Sequence, residues 1–165
     1  MSLKVRRMFL RFSLLSRLIP DFMKDNMTIS LLNHPSHTDF ADLAVLLGQL
    51  CGQVLTVSAL DSVLVDPDVI LYVAREGGRI VGCAELVVFR TLSGLMGRVE
   101  DVVVSADHRG QGLGRQLVEH VIDQARLLEI GQLQLTSQPK RVAANALYQK
   151  LGFVRKETNC YKLDL

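Results

Sequence analysis

Tryptophan is missing from this 165-residue chain and aromatic residues make up only 5% of it, so any core it forms has to be aliphatic. Cysteine is scarce as well. Cys51, Cys83 and Cys160 stand far apart, with none of the paired spacings that hold zinc, and read as ordinary thiols of a reducing, cytoplasmic compartment. His34 and His37 flank a proline in "NHPSH", but no cysteine or third histidine lies near, so no metal is expected and the segment reads as a loop leading into a helix. Charge of one sign is also lacking: the net charge is +2, too small to suggest a nucleic-acid partner. What excess there is belongs to residues 1–26, with six Lys or Arg against two Asp, leaving thirteen basic and fifteen acidic residues for 27–165. No apolar run reaches the roughly 18 residues of a membrane span, because Arg11 and Arg17 interrupt the early one. No membrane association is expected of the main body.

What is present fits one packed domain. The chain is 48% apolar and 22% charged, and a chain of this length buries roughly 70% of the surface it would expose unfolded. The segment "KVRRMFLRFSLLSRL" carries no acid before Asp21, so an organelle-targeting or membrane-surface helix has to be weighed against a plain extension ahead of a start at Met27. The second reading is preferred, with residues 1–26 as an extension, disordered or helical, and 27–165 as the domain.

From Met27 onward, strand and helix signals alternate. "MTISLL" reads as a first strand, and Ser36 with Asp39 three residues later forms a capping box before Phe40, Leu43, Leu47 and Leu50 recur at helical spacing. Gly52 ends that helix and a second, shorter one follows Ser58. "VILYVAREGGRIVGCAELVVF" is two β-rich runs around a Gly-Gly turn, hence a hairpin of central strands. "RVEDVVVS" is a further strand, with Gly94 and Gly97 in the connection before it. Leu113, Leu117, Val121, Ala125 and Leu128 form the apolar stripe of a long helix that Gly131 stops. "LQLTS", "RVAANALYQKL" and "CYKLDL" then read as strand, helix and closing strand. The order predicts an α/β fold, a mixed sheet flanked by helices.

The strongest local signal is a valine-rich strand running into Arg109-Gly110-Gln111-Gly112-Leu113-Gly114 and directly on into the amphipathic helix. Small residues leave backbone N–H groups uncovered, and the first N–H groups of a helix lack internal partners at its positive dipole end. The exposed backbone of residues 110–115, Arg115 included, can therefore receive a diphosphate. A Rossmann site needs G-x-G-x-x-G in the first βαβ unit with an acid about 20 residues on, whereas the spacing here is G-x-G-x-G and the following strand ends at Thr136-Ser137. A P-loop fails because no Gly-Lys-Ser/Thr follows.

With Arg109, Gly112 and Gly114 in place, the segment resembles the cofactor signature of the GNAT acetyltransferase superfamily, Arg/Gln-x-x-Gly-x-Gly/Ala. "AANALYQKLGF" is similar to that superfamily's later helix, with Asn145 and Tyr148 where coenzyme A is usually met. Arg141, Asn145 and Tyr148 fall on one helix face, while Ala143, Leu147 and Leu151 can pack inward. The resemblance implies acetyl-CoA as co-substrate, a mostly antiparallel sheet and direct transfer without an acyl-enzyme. It also implies that the strand bearing Val102, Val103 and Val104 splays from "LQLTS", whose end is Thr136, to admit the pantetheine arm.

Removing a proton from an attacking amine and giving one to a departing thiolate calls for a base and an acid. Glu100 and Tyr148 are the expected pair, with Glu100, Val102 and Val104 on one strand face. Asp101 is the other candidate base, and the plain alternative for Glu100 is a salt bridge with Arg98. "GRVEDVVVS" resembles the matching strand of glucosamine-6-phosphate N-acetyltransferases, while the downstream segment is more similar to bacterial GNAT proteins of unassigned substrate. A small-molecule amine is therefore the expected acceptor, with a homodimer left open. A protein or peptide acetyltransferase and a non-catalytic acyl-CoA-binding module are the alternatives.

Overall fold

The computed structural model describes residues 22–24 and 26–165. The expectations for the basic segment before Phe22 lie outside the described residues. The chain divides into two compact units, Met1–Leu135 and Thr136–Leu165.

The first unit is built on a six-stranded sheet with the strands in sequence order. These are β1 (Phe22–Lys24), β2 (Met27–Leu31), β3 (Val69–Glu76), β4 (Arg79–Thr91), β5 (Gly94–Val104) and β6 (Gln132–Leu135). Every neighbouring pair is antiparallel except β5 with β6. β1 lies within the segment read as an extension and pairs with β2, Phe22 opposite Ile29.

β3 and β4 read as nearly unbroken apolar runs because helices cover both of their faces. On one face α1 (His37–Cys51) and α2 (Val57–Val65) bring Leu43, Leu46 and Leu60 against Leu71, Val73, Ile80, Cys83 and Val103. On the other, α3 (Leu113–Leu127) buries Leu117, Val118 and Val121 completely. Packing there is tight enough that a Cβ added at Gly82 would stand 3.1 Å from Leu117 Cδ1.

Local chemistry sets most element ends. Ser36 Oγ accepts from the Asp39 N–H at 3.1 Å while Asp39 Oδ2 accepts from the Ser36 N–H at 2.9 Å, a complete capping box on α1. Gly52 closes α1 in the left-handed region at φ 72°. Thr56 caps α2, which so begins just before Ser58 rather than after it. Gly77 and Gly78 turn the β3–β4 hairpin with φ of 54° and 83°, the two positive angles of a type I′ turn.

Two aspartates tie α1 to that hairpin. Asp39 pairs with Arg75 at 2.5 Å, and Asp42 pairs with Arg79 and accepts from the Ile80 N–H at 2.9 Å. Both carboxylates are more than nine-tenths buried. The Arg75 hydrogen bond lowers the Asp39 pKa and the Arg79 hydrogen bond lowers that of Asp42, each against the opposing effect of burial.

Three sequence expectations need correction in this unit. Gly94 and Gly97 are not in a connection: β5 starts at Gly94, which pairs with Thr91 across a tight turn. Gly97 is inside the strand opposite Val88, where a Cβ would approach the Leu133, Ile130 and Leu86 side chains to 3.0–3.2 Å. Gly131 does not stop α3. Glu129 does, at φ 56°, with the Ile130 N–H reaching back to the Ala125 carbonyl at 3.0 Å, while the Gly131 N–H instead bonds the Leu95 carbonyl of β5. Glu100 does not share a face with Val102 and Val104, for a reason that belongs to the site below.

The second unit holds α4 (Val142–Lys150), with Arg141 at its N-cap and not within it. Its C-terminus is a Schellman motif: Gly152 takes φ 92°, its N–H bonds the Gln149 carbonyl at 3.1 Å, and the Phe153 N–H bonds the Tyr148 carbonyl at 3.0 Å. The apolar contact that accompanies such a motif is supplied by Tyr148 and Phe153, whose rings meet edge to face at 6.0 Å. Leu147 and Leu151 are half-buried as the spacing suggests, but Ala143 is exposed. The closing strand is absent. Residues 153–165 form no regular element, and Tyr161, Leu163 and Leu165 are 87%, 81% and 115% exposed. The alternation of "CYKLDL" supplies the two faces of a strand, but a strand also needs a ladder partner, and sequence alternation says nothing about that.

Candidate active site

The β4–β5 ladder carries a bulge where the sequence candidates cluster. Cys83 faces Val103 and Glu85 faces Glu100, so Asp101 and Val102 together stand opposite the single residue Ala84. Asp101 is the residue that absorbs the extra length, at φ 46°, a left-handed conformation that Asp tolerates better than most side chains. The Cys83 thiol donates to the Asp101 carbonyl at 3.6 Å. One inserted residue reverses the alternation downstream. Glu100 consequently shares its face with Val103, and Val104, opposite Gly82, points to the face of α3.

Glu100 forms the salt bridge with Arg98 at 2.8 Å, the plainer of its two sequence readings. Directly across the ladder, Glu85 of β4 is an acid that sequence reasoning missed. Burial first, then the charges of Asp101 and Glu100, push its pKa up to about 7. The cue was a lone acid inside the apolar run "CAELVVF", which read only as strand. Cys83 is buried, and burial raises its thiol pKa well above the usual range, so it is no ready nucleophile.

The β5–β6 ladder runs from Met96↔Gln132 to Val99↔Leu135 and ends there. Val103 and Val104 keep Cys83 and Gly82 of β4 as partners, while the opposite backbone edge of residues 100–104 has no strand against it among the described residues. This is the splay the resemblance implied: beyond Leu135 no strand among the described residues continues the ladder along this edge of β5.

β5 leads through a short 3₁₀ turn, Ala106–His108, into the glycine segment. Gly110 and Gly112 adopt φ of 77° and 83°, and Gly112 is the N-cap of α3 with no side chain closing that end. The first helical bond is Gln116 N–H to the Gly112 carbonyl at 3.1 Å, so the N–H groups of Leu113, Gly114 and Arg115 precede any intrahelical partner. α1 and α2, in contrast, are closed by Ser36 and Thr56. The space where a Cβ of Gly110 or Gly112 would sit is empty to 4 Å.

Side chains around this turn brace it rather than point into it. Arg109 Nε donates to the Val104 carbonyl at 3.1 Å, Gln111 Nε2 donates to the Asp107 carbonyl at 3.1 Å, and Arg115 pairs with Glu119 at 2.9 Å. Ser105 Oγ and His108 Nδ1 are 2.6 Å apart, and His108 Nε2 lies 2.9 Å from Glu76 Oε2, which links the exit of β5 to the end of β3. Of the expected cofactor residues, Val102, Val103, Val104 and 109–115 are thus contiguous in the first unit.

Thr136, Asn145 and Tyr148 belong to the second unit. Thr136 is exposed, just after β6. Asn145 Nδ2 donates to the Gln138 carbonyl at 2.9 Å, the same carbonyl that accepts the Arg141 N–H at 3.0 Å, so it organises the turn into α4. Burial raises the Tyr148 pKa, with Arg141 opposing more weakly, which keeps the phenol protonated at neutral pH. Among the described residues no group of three or more His, Cys, Asp and Glu could hold a metal ion, and no helix is long and apolar enough to cross a membrane.

Comparison with known proteins agrees with this geometry. Residues 30–153 match the Acetyltransferase (GNAT) family. An IAA acetyltransferase of Azospirillum brasilense is 34% identical over 90 residues, 54% of this chain and 58% of the relative. A glucosamine 6-phosphate N-acetyltransferase of Trypanosoma brucei brucei is 36% identical over 91 residues, 53% of this chain and 59% of the relative. The chain thus spans less than two thirds of the length of these curated relatives. A crystal structure of a Trypanosoma brucei acetyltransferase superposes with a TM-score of 0.70 at 28% identity, over 84% of this chain and 99% of the other.

Proposed function

This chain belongs to the Acetyltransferase (GNAT) family, and from that premise we propose that it is an acetyl-CoA-dependent N-acetyltransferase acting on a primary amine of a small molecule. The observation that carries the proposal is the start of α3: an N-terminus without a side-chain cap, entered through Gly110 and Gly112 in left-handed conformations at the end of β5. Uncovered N–H groups at the positive end of a helix dipole suit a diphosphate, and the empty space beside both glycines lets it approach the backbone. The strandless edge of residues 100–104 suits the amide groups of a pantetheine arm.

The thioester of acetyl-CoA supplies an activated acetyl group. A carboxylate of the β4–β5 ladder next to the bulge takes the proton from the incoming ammonium nitrogen, with Glu100 as the sequence-derived candidate and Asp101 beside it. Tyr148 serves as the acid that protonates the leaving sulfur, a role supported by its protonated phenol and by the similarity of "AANALYQKLGF" to the family's later helix. Direct attack needs no enzyme nucleophile, in keeping with the inert state of Cys83.

The similarity to a glucosamine 6-phosphate N-acetyltransferase favours an amino sugar phosphate as the first acceptor to try. A thiol-release assay with acetyl-CoA and a panel of amino sugars, amino sugar phosphates, amino acids and peptides tests the reading. Release that depends on a small amine is expected. Release only with peptides would replace the acceptor class, and acetyl-CoA binding without release for any amine would leave a binding module.

A further inference from the structure

Strand pairing sets two carboxylates directly opposite each other, Glu85 on β4 and Glu100 on β5. Like charges in that position destabilise a sheet, so the pair carries a cost that ordinary strand design avoids. The two acids are not equivalent. Glu100 has Arg98 at 2.8 Å, whereas no cation and no hydrogen-bond donor reaches the Glu85 carboxylate among the described residues. Glu85 is half-buried, on the face it shares with the buried Cys83. The β5 bulge then brings Asp101 beside the pair, next to the strandless backbone of residues 100–104.

Resting on the acetyltransferase reading, we propose that Glu85, rather than Glu100, is the catalytic base that deprotonates the acceptor amine. Its carboxylate takes one proton from the ammonium nitrogen, leaving a neutral amine with its lone pair free. The N–C bond then forms as the C–S bond breaks, the sulfur leaves with the proton given by Tyr148, and the second nitrogen proton passes through solvent to the phenolate and restores the phenol. Glu85 returns its own proton to water.

The environment suits that cycle. Burial, Asp101 and Glu100 push the Glu85 pKa up to about 7, close to the pH at which a general base is both deprotonated and strong enough to act. The titratable groups set against it are Glu100 and Asp101 from β5, whose charges disfavour a second negative charge, and the Cys83 thiol from β4, which burial keeps neutral. From α1, which packs on β4 and β5, the buried acids Asp39 and Asp42 are held by Arg75 and Arg79. Arg98 lies on the same strand face as Glu100 and is engaged with it.

The test is the pH profile of kcat/KM for the full chain with acetyl-CoA and an accepted amine, compared among wild type, Glu85→Gln, Glu85→Asp and Glu100→Gln. Wild type should lose activity below about pH 7 as one group protonates. Glu85→Gln should lose that limb and fall by about 10²–10⁴-fold in kcat at neutral pH, with acetyl-CoA affinity unchanged by calorimetry. Glu100→Gln should keep the limb but move it to lower pH, because a neighbouring negative charge has been removed. Should Glu85→Gln fail to fold, Glu85→Asp decides: a loss above tenfold with the limb retained supports the role, and a wild-type rate and profile overturns it. A folded Glu85→Gln within about twofold of wild type, or a limb that disappears only in Glu100→Gln, also overturns it. A wild type that acetylates no amine sinks the acetyltransferase reading, whereas an active wild type beside an unaffected Glu85→Gln sinks this assignment alone.

Discussion

Gly112 and Gly78 share one backbone angle, φ 83°, and beside each of them the space for a Cβ is empty to 4 Å. Alanine at either position therefore meets no packing clash and suffers only the left-handed strain of a residue with a Cβ, about 1–2 kcal/mol. For a chain of this size that corresponds to a Tm lower by about 2–8 °C, and the two variants should agree. Gly78 lies in the β3–β4 hairpin turn, Gly112 at the N-cap of α3. A diphosphate docked on the α3 N–H groups would meet the new methyl of Gly112→Ala and none from Gly78→Ala. Calorimetric titration with acetyl-CoA should show Gly112→Ala weakened by about ten- to a hundredfold, roughly 1.4–2.8 kcal/mol, and Gly78→Ala at wild-type affinity. Equal affinity in both variants, at equal loss of Tm, would refute the assignment of the diphosphate to this turn.

Other substitutions probe the remaining parts. Tyr148→Phe keeps the ring contact with Phe153 and removes only the proton donor, so kcat should fall by about 10²–10⁴-fold with little change in acetyl-CoA binding. An unchanged kcat where chemistry limits the rate would make Tyr148 a packing residue. Asp42→Ala should cost about 2 kcal/mol at neutral pH by leaving the Ile80 N–H without its acceptor, seen as a Tm drop of about 4–8 °C. Because the folded pKa of Asp42 is depressed, its contribution is full above the ordinary carboxylate pKa and is lost as pH falls through the folded value. The Tm gap between wild type and Asp42→Ala should then shrink in acid, and a gap independent of pH would contradict the ionic account. Removal of residues 1–21, which keeps β1, should leave turnover unchanged, and a folded but inactive truncation would place that segment in the acceptor site.

Much of the first unit was legible because local chemistry writes it into short stretches of sequence. Ser36 and Asp39 announce a helix start, and Gly77-Gly78 between β-branched runs announces a hairpin, without help from the rest of the chain. The bulge at Asp101 was not legible, since "RVEDVVVS" has no glycine or proline to mark an interruption and reads as an even strand. With the bulge went the true facing of Glu100. Glu85 escaped notice for a related reason: an acid in an apolar run gains its meaning from the residue across the ladder, and cross-strand register is a long-range property. Asp42 likewise depends on Arg79 and Ile80, more than thirty positions away. "CYKLDL" shows the opposite error, a local pattern taken for an element when no ladder was there to complete it. Helix α4 is legible in its own spacing, and "LGF" encodes the Gly152 turn that pairs Phe153 with Tyr148 just as locally.

Direct transfer of acetyl to nitrogen has one stoichiometric signature. The purified chain, incubated with acetyl-CoA and an accepted amine, should produce one CoA thiol and one N-acetylated amine per turnover, quantified side by side by thiol titration and mass spectrometry, with neither appearing when one substrate is withheld. Thiol release matched by free acetate instead of acetylated amine, or bound acetyl-CoA that yields no thiol with any amine, would contradict it.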